Sequence, residues 1–496
     1  MSDCIGMAVR VRYAPSPTGS PHVGNLRTAI FDWLTARKYG GQFIARLEDT
    51  DRDPERYKPE YINEIERSLD WLGIVPDEWW VSGGPYGPYV QSERLELYRT
   101  AASAMVDTGK AYPCFCDEER LAELRQANRR GGAATGYDRA CRALPETERQ
   151  RRLEAGEPHT IRLAVPDDEI IEYTDLIYGH VSVHSSTMDD QVILKSNGWP
   201  TYHLAVVVDD HAMGITHVIR GEDWMSSLPK QALIYAALGW EQPRWAHIPL
   251  TLGPDRKKLS KRHGATRFTE FIDAGYLPEA IFNFLVLLGW SSGSDNVEIM
   301  SVEEIVERFT LEGIGRTPAI FDYDKLIWMN SEHLKRCPIE RLMHLCLPHL
   351  AAAGLCGHEL QADEIAYLQQ ALPLAVERMR LLPDVVDQAG YFLRDPQEPE
   401  EKGRNKWLNG EPARARLRAS IVACSSMVDD WTALRLEAMV NAVAEGLGIA
   451  RAPLIHTLRV ATSGRTVGPG LFEMLEVLGR TRVIRRLKHA ISWVQE

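Results

Sequence analysis

Arg10-Val11-Arg12-Tyr13-Ala14-Pro15-Ser16-Pro17-Thr18-Gly19-Ser20-Pro21-His22-Val23-Gly24-Asn25 is the stretch on which the fold turns. Val9, Val11 and Tyr13 alternate with Arg10 and Arg12 and then meet Pro15, Pro17 and Gly19, the pattern of a strand running into a loop. A helix is expected at once. Ser20 suits the N-cap, Pro21 the first helical position, and Leu26, Ile30, Trp33 and Leu34 share a face until Gly40 and Gly41 stop it. Gln42 to Leu47 reads as the next strand. This β-loop-α-β opening begins a doubly wound sheet, in which ligands sit beyond the carboxyl ends of parallel strands. ATP is the natural candidate.

Downstream, residues from about Arg120 to Gly156 are charged, Gly-rich around Arg129 to Gly136 and short of long apolar runs, so the segment reads as inserted into the fold. Strand-like chain returns at Val192 to Lys195 and at Ala205 to Val208, a short apolar run ending in Asp209 and Asp210. Beyond about Tyr276 the apolar residues recur with helical period, as in Ile281, Phe284, Leu285 and Leu288. The rest of the chain is expected to be helical, interrupted by a linker from Asp395 to Pro412.

A chain of 496 residues exceeds what one hydrophobic core holds, so at least three domains are expected. No stretch reaches the apolar length that spans a bilayer, and Met1 to Arg10 lacks an export-signal pattern; the expected setting is cytoplasmic, with no membrane partner. Eight cysteines in such a chain read as reduced thiols or metal ligands, not as a disulfide framework. The net charge of −12 argues against a protein that coats nucleic acid non-specifically. Locally the sign reverses. From Arg451 to Glu496, Arg451, Arg459, Arg465, Arg480, Arg482, Arg485, Arg486 and Lys488 outnumber Glu473, Glu476 and Glu496, which fits an RNA-facing surface or, equally, a solvated helix face.

Two short motifs bring chemistry. Pro21-His22-Val23-Gly24 falls at a helix start, where free N–H groups and the positive end of the dipole attract phosphate. His22 adds a donor there, and Gly24 lets a flat adenine approach the backbone. Lys257-Lys258-Leu259-Ser260-Lys261-Arg262, followed by His263-Gly264, has the composition of a clamp for a triphosphate, stabilising charge as pyrophosphate leaves. Taken singly, the first motif is as well a capping histidine and the second a surface charge run.

In this order the two motifs resemble the signatures of the class I aminoacyl-tRNA synthetases. Arg12 to Gly19, Arg46-Leu47-Glu48-Asp49-Thr50-Asp51, Gly87 to Arg94 and Val218-Ile219-Arg220-Gly221-Glu222-Asp223 narrow the resemblance to the bacterial-type glutamyl-tRNA synthetases. It is strong to about Asn330 and weaker beyond, where Gly468-Pro469-Gly470-Leu471-Phe472 also fits. It implies an α/β fold: a Rossmann-like doubly wound catalytic domain in two halves, 1–94 and 196–245, around an inserted acceptor-stem-binding domain, 95–195. A stem-contact domain, 246–330, carries the basic loop, and an all-α anticodon-binding region forms two subdomains, 331–395 and 396–496.

The implied reaction joins L-glutamate to the 3′-terminal adenosine of tRNA(Glu), using ATP with Mg²⁺, through a glutamyl-adenylate, in a monomer. Pro21, His22, Gly24, Asn25, Lys258, Leu259, Ser260, Lys261 and Arg262 match the family's ATP-binding residues, with His22, Gly24, Lys258 and Lys261 as the catalytic set. Arg12, Ala14, Ser16, Glu48, Tyr202 and Arg220 match its glutamate-binding residues, as a carboxylate substrate requires of an arginine fork. Arg378 matches a position that contacts the anticodon. The chain departs from some relatives at Val206, where they carry asparagine, which implies one polar substrate contact fewer. Charging of tRNA(Gln) as well, and a catalytically inactive tRNA-binding paralogue, are the alternatives.

Cys114, Cys116, Tyr137 and Cys141 resemble a zinc-ligand set found in some relatives; others place the fourth ligand where this chain has Ala143. Three thiols and a phenol can form a tetrahedral structural site, with three reduced cysteines as the alternative.

Overall fold

The computed structural model describes residues 8–131, 136–264, 266–293, 295–427 and 430–495, with only the backbone described at 128–131 and at Lys261. Residues 132–135, half of the Gly-rich run Arg129 to Gly136, thus lie outside the described residues. The chain divides into two compact units, one of residues 1–271 and 281–322, the other of 272–280 and 323–496.

In the first unit β1 (Arg10–Tyr13), α1 (Val23–Lys38) and β2 (Gln42–Ala45) follow one another as the local pattern requires. Then come α2 (Glu60–Trp71), α3 (Leu95–Asp107), β3 (Ala111–Cys114), α4 (Glu118–Gly131), α5 (Glu146–Glu154) and β4 (Thr160–Leu163). The hairpin of β5 (Ile170–Asp175) and β6 (Gly179–His184) precedes β7 (Val192–Leu194). α6 (Tyr202–Ala212), β8 (His217–Gly221), α7 (Leu228–Leu238), β9 (Arg244–Ile248) and the short β10 (Thr251–Leu252) complete the part that builds the site.

The strands β1 and β2 are parallel, as are β8 and β9, and the two ladders adjoin where Thr216 N–H donates to Arg10 O at 2.9 Å. β5 continues the sheet, parallel to β9, with β6 antiparallel at its edge. This is the doubly wound arrangement, whose switch between β1 and β8 opens a crevice at the carboxyl ends of the strands. β3, β4 and β7 form a separate antiparallel sheet within the stretch between β2 and β8. Tyr98, Val206, Ile234 and Trp245, from α3, α6, α7 and β9, share one buried apolar cluster.

Three expectations are corrected. The helix cap is His22, not Ser20, because the His22 side chain accepts from Gly24 N–H while Asn25 answers with its own side chain. Ala205 to Val208 lies in α6 and not in a strand. Every residue from Leu204 to Asp210 is buried, so the run lacks the one-sided period that marks a helix in sequence. The linker from Asp395 to Pro412 is instead structured: Glu401–Trp407 is a helix, another begins at Gly410, and Asp395 takes Arg485 at 2.7 Å and Arg486 at 2.8 Å. The Asp395 charge is paired with chain some 90 residues away, which composition cannot reveal.

The second unit is helical, with Leu372, Phe392, Leu417, Leu458 and Leu487 in its core. Much of its basic tail is committed internally: Arg459 donates to Pro469 O, Arg480 to Cys424 O and Arg482 to Phe392 O, and Arg465 pairs with Asp387. Arg378 stands exposed. Among the described residues no helix is long and apolar enough to cross a membrane.

Candidate active site

A cavity of about 970 Å³ opens at the carboxyl ends of β1, β8 and β9 and is lined by residues of the first unit. At one end stands the start of α1. Gly24 N–H donates to His22 Nδ1 at 3.1 Å, so in the neutral ring the proton lies on Nε2, which is left as a donor. Loss of solvation, then the charge of Lys258, holds the imidazole below the usual histidine range against the opposing pull of Asp223. A Cβ on Gly24 would sit 3.0 Å from His22 Cε1 and 3.1 Å from Nδ1, so the glycine leaves room for the ring.

The basic loop is tied to the same helix start. Thr266 O accepts from Val23 N–H at 3.1 Å and Pro21 O from Phe268 N–H at 3.2 Å, bringing the two motifs side by side through their backbones. Lys258 Nζ donates to Asp223 Oδ2 at 2.9 Å, and Leu259 N–H to Thr251 O at 3.0 Å. Lys258, Leu259 and Ser260 line the cavity with His22, Gly24 and Asn25. Pro21 is buried and Arg262 is exposed, paired with Asp255 at 3.2 Å. The side chain of Lys261 lies outside what is described.

At the other end Arg12 and Glu48 reach the cavity from a buried ionic network. Arg12 and Arg46 meet on Asp210, and Arg46 NH2 donates to Glu48 Oε1 at 3.0 Å. Asp209 accepts from Arg94 Nε at 2.6 Å and Gln91 Nε2 at 2.9 Å, completing a buried network in which each charge has a partner. Burial raises the Glu48 carboxyl above its usual range, although Arg46 and then Arg12 oppose it. Ala14, Ser16, Glu48, Tyr202 and Arg220 join Arg12 in the lining.

Arg220 is different. Its Nε donates to His247 Nε2 at 3.0 Å, NH1 and NH2 are buried with no partner at full hydrogen-bond geometry among the described residues, and the Tyr202 side chain is the polar neighbour that acts on the guanidinium. A planar cationic fork with two free donors on a cavity wall is a seat for a carboxylate. Val206 is buried in the core cluster and is not among the lining residues.

Away from the cavity, Cys114, Cys116 and Cys141 place their sulfurs within 4.8 Å of one another, and Tyr137 Oη lies 3.4 Å from Cys114 and 3.3 Å from Cys116. Zinc–sulfur bonds of about 2.3 Å in a tetrahedron require sulfurs about 3.8 Å apart, close to the 3.5 Å between Cys116 and Cys141. The chemistry and spacing of this donor set therefore fit zinc. Hydrogen bonding from Cys141 outweighs burial and lowers the Cys114 thiol.

Asp210, Asp209 and Arg46 were not among the expected site residues, nor were Asp223, His247 and Asp175. Arg46 and Asp223 stand inside the quoted motifs, a signal that was legible. Asp209 and Asp210 end an apolar run, where a buried carboxylate has no local mark.

The chain matches the model for the catalytic domain of class I tRNA synthetases (E and Q) over residues 8–328 and that for an anticodon binding domain over 341–491. It is 45% identical to the glutamate–tRNA ligase of Moorella thermoacetica, over 98% of this chain and 99% of the relative. Identity to glutamate–tRNA ligase 1 of Syntrophomonas wolfei is 44%, over 98% and 97%. The crystal structure of a glutamate tRNA ligase from Elizabethkingia meningosepticum, in complex with its amino acid, superposes with a TM-score of 0.90 at 35% identity, covering 99% of this chain and all of that one.

Proposed function

The chain belongs to the glutamate–tRNA ligases, class I aminoacyl-tRNA synthetases, and from that premise we propose the part each site residue takes in the ATP-dependent ligation of glutamate to tRNA. Arg220 takes the side-chain carboxylate of glutamate through NH1 and NH2, with Arg12 and Tyr202 closing the seat and Glu48 facing the ammonium. The observation that carries this reading is the pair of buried, unpartnered Arg220 nitrogens on the cavity wall. Ala14 and Ser16 line the same seat.

ATP lies across the start of α1, with its adenine over Gly24 and its phosphates near the Asn25 backbone, where the helix dipole and the His22 Nε2–H favour negative charge. Lys258 exchanges Asp223 for phosphate oxygens, joined by Lys261, Ser260 and Arg262, and Mg²⁺ shares the phosphate charge. A glutamate α-carboxylate oxygen attacks the α-phosphorus, the bond to the β-phosphate breaks and pyrophosphate leaves. The 2′-hydroxyl of the terminal adenosine then attacks the acyl carbon, losing its proton as AMP departs. The protein supplies position and charge and no nucleophile.

Residues 95–195 and 246–330 are assigned to the acceptor end of the tRNA, and 331–395 and 396–496 to its anticodon, with Arg378 as an anticodon contact. Cys114, Cys116, Tyr137 and Cys141 hold a structural zinc, which braces the first of these regions when bound. Reduced thiols and a tRNA substrate suit a cytoplasmic monomer.

Labelled glutamate, ATP, Mg²⁺ and purified tRNA(Glu) or tRNA(Gln), incubated separately, test the whole reading by acid-precipitable label. Charging of tRNA(Glu) alone defines a strict enzyme and charging of both a relaxed one, whereas an Arg220→Ala variant with unchanged KM for glutamate would remove Arg220 from the seat.

A further inference from the structure

Arg220, His247 and Asp175 come from β8, β9 and β5, three neighbouring strands of one sheet, with Arg220 and His247 directly opposite in the parallel register. His247 Nδ1 lies 2.6 Å from Asp175 Oδ2 and its Nε2 accepts from Arg220 Nε at 3.0 Å; His247 is fully buried. Asp175 is itself pinned. Its Oδ1 accepts from Ile177 N–H and Tyr178 N–H, both at 2.9 Å, and its Oδ2 also accepts from His247 N–H at 3.1 Å.

These bonds settle the imidazole. A carboxylate on Nδ1 places the proton there, and Nε2 keeps the lone pair that Arg220 Nε requires. Nε is engaged on one side, the Trp245 ring centroid lies 5.3 Å from the guanidinium carbon, and among the described residues NH1 and NH2 have no partner at full hydrogen-bond geometry, with the Tyr202 side chain beside them. Arg12 and Arg46 show the contrasting case, since both meet the Asp210 carboxylate directly, with Glu48 and Asp209 as further counter-ions to Arg46. At Arg220 a neutral ring stands between cation and carboxylate, transmitting orientation while holding the negative charge of Asp175 one imidazole away.

We propose that Asp175 and His247 are positioning residues that orient Arg220 and keep its charge uncompensated, so that the seat selects an anionic glutamate side chain over the neutral amide of glutamine. This rests on the assignment of Arg220 to the glutamate carboxylate. Through β5, the stretch that leaves the parallel ladder after β2 thereby supplies a determinant of amino-acid selectivity.

The test compares His247→Ala, His247→Gln, Asp175→Asn and Arg220→Ala in aminoacylation of tRNA(Glu), reading KM for glutamate and for ATP and inhibition by glutamine, with circular dichroism and melting to check folding. His247→Ala leaves a buried cationic donor unpaired and is expected to raise KM for glutamate by about tenfold or more, with KM for ATP within about twofold. Asp175→Asn, which removes the acceptor that holds the tautomer, is expected to act in the same direction. The double variant Asp175→Asn/His247→Ala, made in addition, is expected to be no worse than His247→Ala alone, as for groups acting through one another. His247→Gln, whose carbonyl can accept from Arg220, is expected to recover part of the loss, and glutamine is expected to inhibit His247→Ala relatively better. Additive losses, or equal rises in both KM values, overturn the relay. An Arg220→Ala variant with unchanged KM for glutamate overturns the underlying assignment instead. If variants at position 247 do not fold, Asp175→Asn decides the proposal by the same split of KM values.

Discussion

Arg12 Nε donates to both carboxylate oxygens of Asp210, at 3.1 and 3.3 Å, across 198 residues of chain. Asp210 also accepts from Arg46 NH1 at 2.7 Å, so one buried carboxylate holds two guanidinium groups, Arg12 on the cavity wall and Arg46 in the interior. Asp210→Ala leaves Arg12 without its counter-ion and Arg46 with Glu48 and Asp209 alone, a change expected to cost about 3–5 kcal/mol and to lower the urea midpoint accordingly. Burial tends to raise the Asp210 carboxyl, but Arg12 and Arg46 outweigh it and its value falls below the usual range. Its contribution is therefore complete above the ordinary carboxylate value and is lost as pH falls through the folded one. Unfolding titrations below pH 4 are expected to show a steeper loss in the parent than in Asp210→Asn.

Asp32, in α1, is the opposite case. Both of its oxygens are buried without a partner among the described residues, and burial raises its carboxyl well above the usual range, with Arg12 opposing and Asp210 adding to the rise. The folded state binds the proton more tightly than the unfolded chain, so stability declines as pH rises from the ordinary aspartate value through the folded one. Asp32→Asn is expected to stabilise by about 1–3 kcal/mol. Denaturant midpoints are expected to show a larger gain at pH 8 than at pH 5.

Gly24→Ala separates stability from activity. An added Cβ at 3.0 Å from the His22 ring displaces the imidazole, and the adenylate-forming rate is expected to fall about 10- to 100-fold. Alanine is the better helix former by about 0.5–1 kcal/mol, which offsets strain at the cap, so the melting temperature is expected to stay near that of the parent. Pyrophosphate exchange and a thermal melt on the same preparation read both effects.

Tyr137→Phe removes the oxygen that stands 3.3 to 3.4 Å from two cysteine sulfurs and keeps the ring. Elemental analysis is expected to find about one zinc per chain in the parent and a lower occupancy in this variant after dialysis against a chelator. Absence of zinc from the parent, purified without chelator, would return the cluster to three reduced thiols.

The opening of the chain was legible because its signals are local. Alternating valines, the Pro and Gly punctuation and the apolar face of α1 each depend on neighbours within a few residues. His22, Gly24, Lys258 and Arg220 were legible as motif members. The cap position was misplaced by two residues because His22 uses a ring nitrogen where Ser20 offered a hydroxyl, and α6 was missed because burial on all sides erases helical periodicity.

What the sequence by itself determined is the order of strand, loop and helix at the site and the identity of the cations that border it. Tertiary structure decided which cation is neutralised and which stays free: Arg12 finds Asp210 across 198 residues, while Arg220 meets a neutral His247 whose ring is oriented by Asp175, 72 residues before it. The physical reason is that a buried charge takes its properties from partners fixed by sheet register, and register is a property of the assembled sheet and not of any short stretch of chain.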